Sequence, residues 1–410
     1  MSHTAQRAHI SPERLQEIQA ALRERGLDGW LLYDYHATNQ IAGRVLGLHE
    51  PLSRRYMVVL PAEGEPTAIA HSLERPPWRD WSGPVRVYFR WQELESAIAD
   101  LLVPGQRYAL EYSESDRIPQ VDRVPAGVVD LIRRQGVELV ESGDLVTLFA
   151  ATWSSAELES HRNTSRLIAN VAARAYRQAA DAVRSGETLS EWGLKRAILG
   201  MFSEAGLVEG DTIVAVGPNA ADGHYEPTPQ DAAPIVRGQV LLIDLWAKQS
   251  GSVFADQTWM GFMDTEVPEK VEQVWRTVRD AREAAVRYAA TTFSDPDDVL
   301  RGCDVDAASR AVIEKAGFGA HFNHRTGHSI DNEVHGLGPN IDGIETNDDR
   351  RLLPGIGFSI EPGVYLENDF GVRSEINVYL GLDGPEVTTP KPQSELYRLL
   401  TDEWQSKSNL

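Results

Sequence analysis

Four carboxylates set inside short apolar runs constrain this chain more than any other feature. Asp244 lies in QVLLIDLWA, Asp256 in SVFADQTWM, Glu361 in GFSIEPGVY and Glu375 in GVRSEINVYL. Each run has the length and aliphatic character of a β-strand. A carboxylate buried in such a run requires a charged partner, because an isolated charge removed from water is strongly unfavourable. With His328 they form an ordered set of five potential metal ligands: Asp244, Asp256, His328, Glu361 and Glu375.

Spacing predicts that these groups converge. Side chains alternate along a strand, and residues facing each other across a hairpin share one face of the sheet. Asp244 and Asp256 are twelve residues apart around the turn-like AKQSGS, so a hairpin centred on Ser250 would set them directly opposite. Glu361 and Glu375 are fourteen apart, and their hairpin would centre near Asn368 in LENDFG. Four ionised carboxylates gathered in one place repel each other, and burial raises their proton affinity further. Two divalent cations would cancel four negative charges, with His328 neutral. Such a metal pair generates hydroxide at neutral pH and clamps a tetrahedral intermediate, so the chemistry expected is metal-assisted hydrolysis.

The blocks GPNAADGHYEP, IDLWAKQSGSVFADQT, HRTGHSIDNEVHG, SIEPGVY and GVRSEIN, in that order between Ser154 and Tyr397, resemble the metallopeptidase family of prolidase, aminopeptidase P and methionine aminopeptidase. The resemblance implies a pita-bread catalytic domain of α+β class. Segments such as LRERGLDGWLLYD resemble the smaller α/β creatinase-like N-terminal domain of prolidase and aminopeptidase P, which methionine aminopeptidases lack. It also implies roles. Asp244 resembles a terminal ligand of one metal, Asp256 and Glu375 the bridging carboxylates, and His328 and Glu361 ligands of the second metal, with Glu361 also the proton shuttle. His224 and His335 resemble the two substrate-facing histidines that hold the scissile carbonyl and its oxyanion. His324 resembles a further site histidine, and Thr258, sharing a strand face with Asp256, a support for a ligand.

The chain also departs from the family pattern. The Asp244 to Asp256 interval is one residue longer than usual, Trp259 follows Thr258 where an arginine is common, and Phe254 stands where prolidases carry tyrosine. Downstream of His335 the segment GLGPNIDGIETNDD offers no cation before Arg350 and Arg351, so the arginine that clamps a dipeptide's carboxylate in prolidases is missing. Arg373, two before Glu375, is expected to support the site.

Other chemistries lack their motifs: the sequence has no HExxH, no paired CxxC and no GxxxxGK. GHSID starts like a nucleophile elbow but ends in Asp331. With 40 basic and 61 acidic residues the formal net charge is −21, which opposes binding to nucleic acid or an anionic membrane. A lone Cys303 forbids an internal disulfide and fits the cytoplasm, and neither a signal-like N-terminus nor a long apolar span is present. A helix is expected from Pro12, followed by the strand-like runs WLLYD, YMVVLP, TAIAH, VRVYF and YALEY. A capping box at Ser154 and Glu157 should open a long helix to about Val183. The expected domains are 1–152 and 153–410.

These readings converge on a dinuclear-metal hydrolase of short proline-containing peptides. An Xaa-Pro dipeptidase is expected; the alternatives are an Xaa-Pro aminopeptidase on longer peptides or a same-fold enzyme on a non-peptide small molecule. The oxygen-rich ligand set suits Mn²⁺ and accepts Co²⁺ or Zn²⁺. The family resemblance adds a homodimer.

Overall fold

The computed structural model describes residues 7–48 and 52–406, so the polar residues MSHTAQ lie outside the described residues. The chain divides into two compact units, Met1–Ala150 and Ala151–Leu410.

The first unit is built on strands β1 (Gly29–Asp34), β2 (Tyr56–Pro61), β3 (Thr67–His71), β4 (Val85–Tyr88), β5 (Arg107–Leu110) and β6 (Glu138–Glu141). They form one mixed sheet in the order β4-β3-β2-β1-β5-β6. The expected first helix spans Pro12–Glu24, where the Ser11 hydroxyl accepts from the Arg14 N–H and proline occupies the first turn. Helices over Trp91–Leu101 and Ala126–Arg133 lay their apolar faces on the sheet through Leu94, Ile98, Val129 and Ile132.

Glu111, directly after β5, is fully buried. Trp30 Nε1 donates to one carboxylate oxygen at 2.5 Å and Asn39 Nδ2 to the other at 2.9 Å. Burial outweighs these bonds and pushes the carboxyl up to about 7 from 4.5. The folded unit therefore binds more protons than the unfolded chain between those values, and its stability falls as pH rises across that window, by about 3 kcal/mol in total. Glu111→Gln is expected to flatten this response. Amide exchange of β1 and β5, followed in wild type and variant from pH 5 to 8, should converge at low pH and diverge at high pH; parallel curves would disprove it.

The second unit holds β7 (Val208–Val216), β8 (Val240–Lys248), β9 (Ala255–Phe262), β10 (Ser329–Ile330), β11 (Ile356–Ile360), β12 (Gly363–Leu366), β13 (Phe370–Arg373), β14 (Ile376–Gly381), β15 (Gly384–Val387) and β16 (Tyr397–Arg398). Three sheets result, ordered β16-β9-β8-β7, β10-β11-β14-β15 and β12-β13. The helix after the capping box runs Ser155–Ser185 and stops at Gly186, which takes φ 77. Its buried face is mostly alanine, including Ala172, Ala175 and Ala179, which lets the helix approach β8 and β9 closely. A further long helix runs Glu269–Phe293. None of the helices among the described residues is long and apolar enough to cross a membrane.

Strands β8 and β9 are buried on both faces, which accounts for their nearly continuous apolar sequence. Leu241, Ile243, Leu245, Ala255 and Trp259 face the alanine-rich helix, whereas Leu242, Met260 and Phe262 face the helix Glu269–Phe293. By alternation Asp244, Asp256 and Thr258 share the second face. The expected direct opposition of Asp244 and Asp256 does not occur. Asp244 pairs with Thr258 and Trp246 with Asp256, so the hairpin centres on Gly251, which adopts φ 72. The aspartates are diagonal neighbours on one face instead.

The glutamate hairpin follows its spacing. Gly363 pairs with Arg373 and Ile360 with Ile376, one register centred on Asn368, which has φ 62. Between those pairs the ladder breaks at the glutamates themselves. Glu361 N–H donates to the Thr326 carbonyl at 2.7 Å and Glu375 N–H to the Thr258 carbonyl at 3.3 Å. Pro362 has no N–H to continue the ladder. Each glutamate is thus tied to a neighbouring segment that carries another site residue.

Candidate active site

Asn377 joins the two hairpins. Its side chain accepts from the Asp256 N–H at 2.9 Å and donates to the Asp256 carbonyl at 2.6 Å, locking β9 to β14. His328 directly precedes β10 and is held to β11, since its N–H donates to Ser359 Oγ at 3.0 Å and its carbonyl accepts from the Ser359 N–H at 2.8 Å. These bonds bring aspartate, glutamate and histidine segments to one cavity of about 660 Å³. All five expected ligands line it, together with His224, His324 and His335.

Ligand atoms of Asp256, His328 and Glu375 all lie within 4.8 Å of one another. His328 Nε2 is 3.6 Å from Asp256 Oδ2 and 3.4 Å from Glu361 Oε1. Its Nδ1 is 3.1 Å from the Ser329 carbonyl, which accepts a hydrogen bond from Nδ1–H and leaves the Nε2 lone pair facing the carboxylates. Asp244, Asp256 and Glu375 each keep one buried oxygen without a hydrogen-bond partner among the described residues. Buried carboxylates with orphaned oxygens, gathered in one cavity with an imidazole, fit divalent cations.

The electrostatics give the same picture. Burial first, then the charges of Asp244 and Glu361, raise Asp256 well above the usual range. Glu375 is raised by burial and by Asp256, Glu361 and Asp244. Glu361 is pushed up to about 7, chiefly by burial, with Arg373 opposing. His328 is held well below its ordinary value by burial, by His335 and by Arg325. Protons or cations must accompany these acids.

Arg373 supplies part of the compensation. Its Nη2 donates to Asp244 Oδ2 at 2.5 Å, Nε to Thr258 Oγ1 at 3.0 Å, and Nη1 to the Gly223 carbonyl at 3.1 Å and to Tyr365 Oη at 3.2 Å. Thr258 in turn donates to Glu375 Oε2 at 2.9 Å. One guanidinium thereby orients an aspartate, a glutamate and the backbone next to His224. Close approach of that backbone needs a glycine at 371, where a Cβ would lie 1.8 Å from the Ala220 carbonyl oxygen.

His324 has both ring nitrogens engaged, Nδ1 with the Arg325 carbonyl at 2.7 Å and Nε2 with Tyr365 Oη at 2.8 Å. Burial and the Arg373 charge lower it to about 3, so it stays neutral. His335 stands edge-on to His328 with ring centroids 4.5 Å apart, and both His224 and His335 are exposed at the cavity wall. Trp259 lies on the other face of β9, donates to Gln257 Oε1 and stacks on Tyr397; it packs in the core. Arg350 is buried against Asp348 and the carbonyls of Leu337 and Gly338.

Sequence reasoning passed over Tyr365, Asn377, Arg325 and Glu345. Asn377 had a signal, a polar residue in the apolar strand INVYL, and such a residue must find partners when buried. Tyr365 closes the SIEPGVY block already singled out. Nothing local marks Glu345.

The cavity has counterparts among known proteins. The chain is 26% identical over 391 residues to the probable dipeptidase PepE of Mycobacterium tuberculosis, covering 92% of this chain and 94% of that relative. It is 32% identical over 174 residues to the Xaa-Pro dipeptidase of Lactobacillus delbrueckii subsp. lactis, covering 42% of this chain and 43% of the other. The crystal structure of dipeptidase PepE from Mycobacterium ulcerans matches with TM-score 0.71 at 23% identity, over 94% of this chain and 97% of that one, a likeness of fold. That fold is the two-domain, mixed α and β pita-bread arrangement expected from the sequence. The profile of Metallopeptidase family M24 matches residues 164–381, a stretch that contains every carboxylate lining the cavity; this chain is a peptidase belonging to metallopeptidase family M24.

Proposed function

We propose that the protein is a dinuclear-metal Xaa-Pro dipeptidase whose metals are held by Asp244, Asp256, His328, Glu361 and Glu375. The observation that carries this reading is the set of buried carboxylates Asp244, Asp256 and Glu375, each with one oxygen unpartnered among the described residues, of which Asp256 and Glu375 offer ligand atoms within 4.8 Å of one from His328. Bound there, two divalent cations supply Lewis-acid polarisation of the scissile carbonyl and activation of water. Mn²⁺ suits the oxygen-rich set best, with Co²⁺ and Zn²⁺ as competitors.

The chain's own residues do the rest. Glu361, which lines the cavity with its Oε1 3.4 Å from His328 Nε2, takes a proton from the attacking water and returns it to the departing proline nitrogen. His224 and His335, on the open wall of the cavity, donate to the carbonyl oxygen as charge develops on it. His324 acts as a positioning residue: it accepts from Tyr365, which also meets Arg373. The Lactobacillus relative named for Xaa-Pro dipeptides supports the substrate class. In this reading the first unit is the creatinase-like N-terminal domain, and the enzyme is a cytoplasmic homodimer.

Metal-stripped protein given Mn²⁺, Co²⁺ or Zn²⁺ should hydrolyse Ala-Pro in preference to Ala-Pro-Ala. Preference for the tripeptide would make it an aminopeptidase P instead. Failure on both with every metal would sink the proline assignment.

A further inference from the structure

A dipeptide carries a free carboxylate next to the bond that is cut, and a cavity lined by acids must hold a cation to receive it. Among the described residues lining the cavity only Arg325 and Arg373 carry a permanent positive charge. Arg373 is buried and fully used by Asp244, Thr258, Tyr365 and the Gly223 carbonyl. Arg325 is different. Its side chain is 21% exposed, and its Nη1 lies 3.8 Å from Glu345 Oε2, an ion-pair separation too long for a hydrogen bond.

The backbone beneath Arg325 is pinned on both sides. Its N–H donates to Glu345 Oε1 at 2.8 Å, and its carbonyl meets His324 Nδ1 at 2.7 Å. A guanidinium on a fixed backbone, with donors still available, is preorganised for a planar carboxylate.

We propose that Arg325, backed by Glu345, binds the free α-carboxylate of the dipeptide and so replaces the clamp missing downstream of His335. The proposal rests on the dipeptidase reading above. Glu345 holds the arginine near the cavity through a loose pair that an incoming carboxylate displaces or shares. The occupant is an α-carboxylate adjoining the scissile bond; a longer peptide presents a neutral amide at that place.

The test compares free acids with their amides, using Ala-Pro and Ala-Pro-amide beside Ala-Leu and Ala-Leu-amide, on metal-loaded full-length protein. Wild type should favour the acids. Arg325→Met should raise KM for the acids roughly 10- to 100-fold, the range of a charge-assisted hydrogen bond, with kcat and the amides little changed. Arg325→Lys should recover part of the loss. Glu345→Gln keeps an acceptor for the Arg325 N–H and removes the competing charge, so it should lower KM for the acids alone. Acids and amides falling in parallel in Arg325→Met, or a wild type that does not discriminate between them, would overturn the role of Arg325. Cleavage of Ala-Leu but not Ala-Pro, with the acid preference intact and lost in Arg325→Met, would support Arg325 while overturning the proline reading. Hydrolysis of none of the four would overturn both.

Discussion

Asp256→Asn is expected to abolish peptide hydrolysis, by roughly 10³-fold or more, since the metal-assisted step it removes is worth several kcal/mol. The same substitution is expected to leave the metal-free protein at least as stable as wild type. Asp256 is 4% exposed and faces Asp244, Glu361 and Glu375, and burial with their charges raises its proton affinity. The sign follows from linkage. A carboxyl whose folded value lies above its ordinary 3.8 binds its proton more tightly folded than unfolded, so stability declines as pH rises above that value. An amide at this position does not titrate and removes that decline. Added Mn²⁺ reverses the order: it should raise the melting temperature of wild type and have much less effect on the variant. Calorimetry with and without Mn²⁺, beside metal content and turnover, checks all three. Retained turnover, or a metal-free variant much less stable than wild type at pH 8, would contradict the site as described.

Arg373→Met should cost about 3 to 5 kcal/mol of stability in the metal-free protein, the penalty for breaking a buried ion pair on one side. Buried Asp244 then loses the cation opposite it. Turnover should fall as well, because Thr258, Tyr365 and the Gly223 carbonyl lose their common donor. Arg373→Lys should rescue little, since an ammonium cannot reach four acceptors spread around a planar fork. Thr258→Ala, which removes the hydrogen bond to Glu375 and the acceptor of Arg373 Nε but keeps the ion pair, should cost less, about 2 kcal/mol. Urea unfolding of the three metal-free variants gives the ranking, and an Arg373→Lys protein as stable as wild type would show that charge alone matters there.

Much of this fold was legible in the residues. Ser11 with Pro12, and Ser154 with Glu157, marked helix starts because capping is a local interaction over three residues. The glutamate hairpin turned where its spacing placed it, at Asn368, a residue type that tolerates the left-handed conformation. Trp259, left open on sequence, is settled by alternation together with packing: it is one residue from Thr258 and therefore on the opposite face.

What the sequence by itself determined was the set and order of the acids and the common sheet face of Asp244 and Asp256, because side-chain alternation along a strand is a property of the chain alone. Tertiary structure decided the rest. The register that sets Asp244 against Thr258 came from the turn at Gly251 and the packing on both faces of β8 and β9, not from the number of intervening residues. The roles of Arg373, Asn377, Tyr365 and Arg325 exist only through partners distant in the chain, such as Asp244 for Arg373 and Asp256 for Asn377. Charge and hydrogen bonding act through space, so a residue's partner is readable only once the sheets have brought the two together.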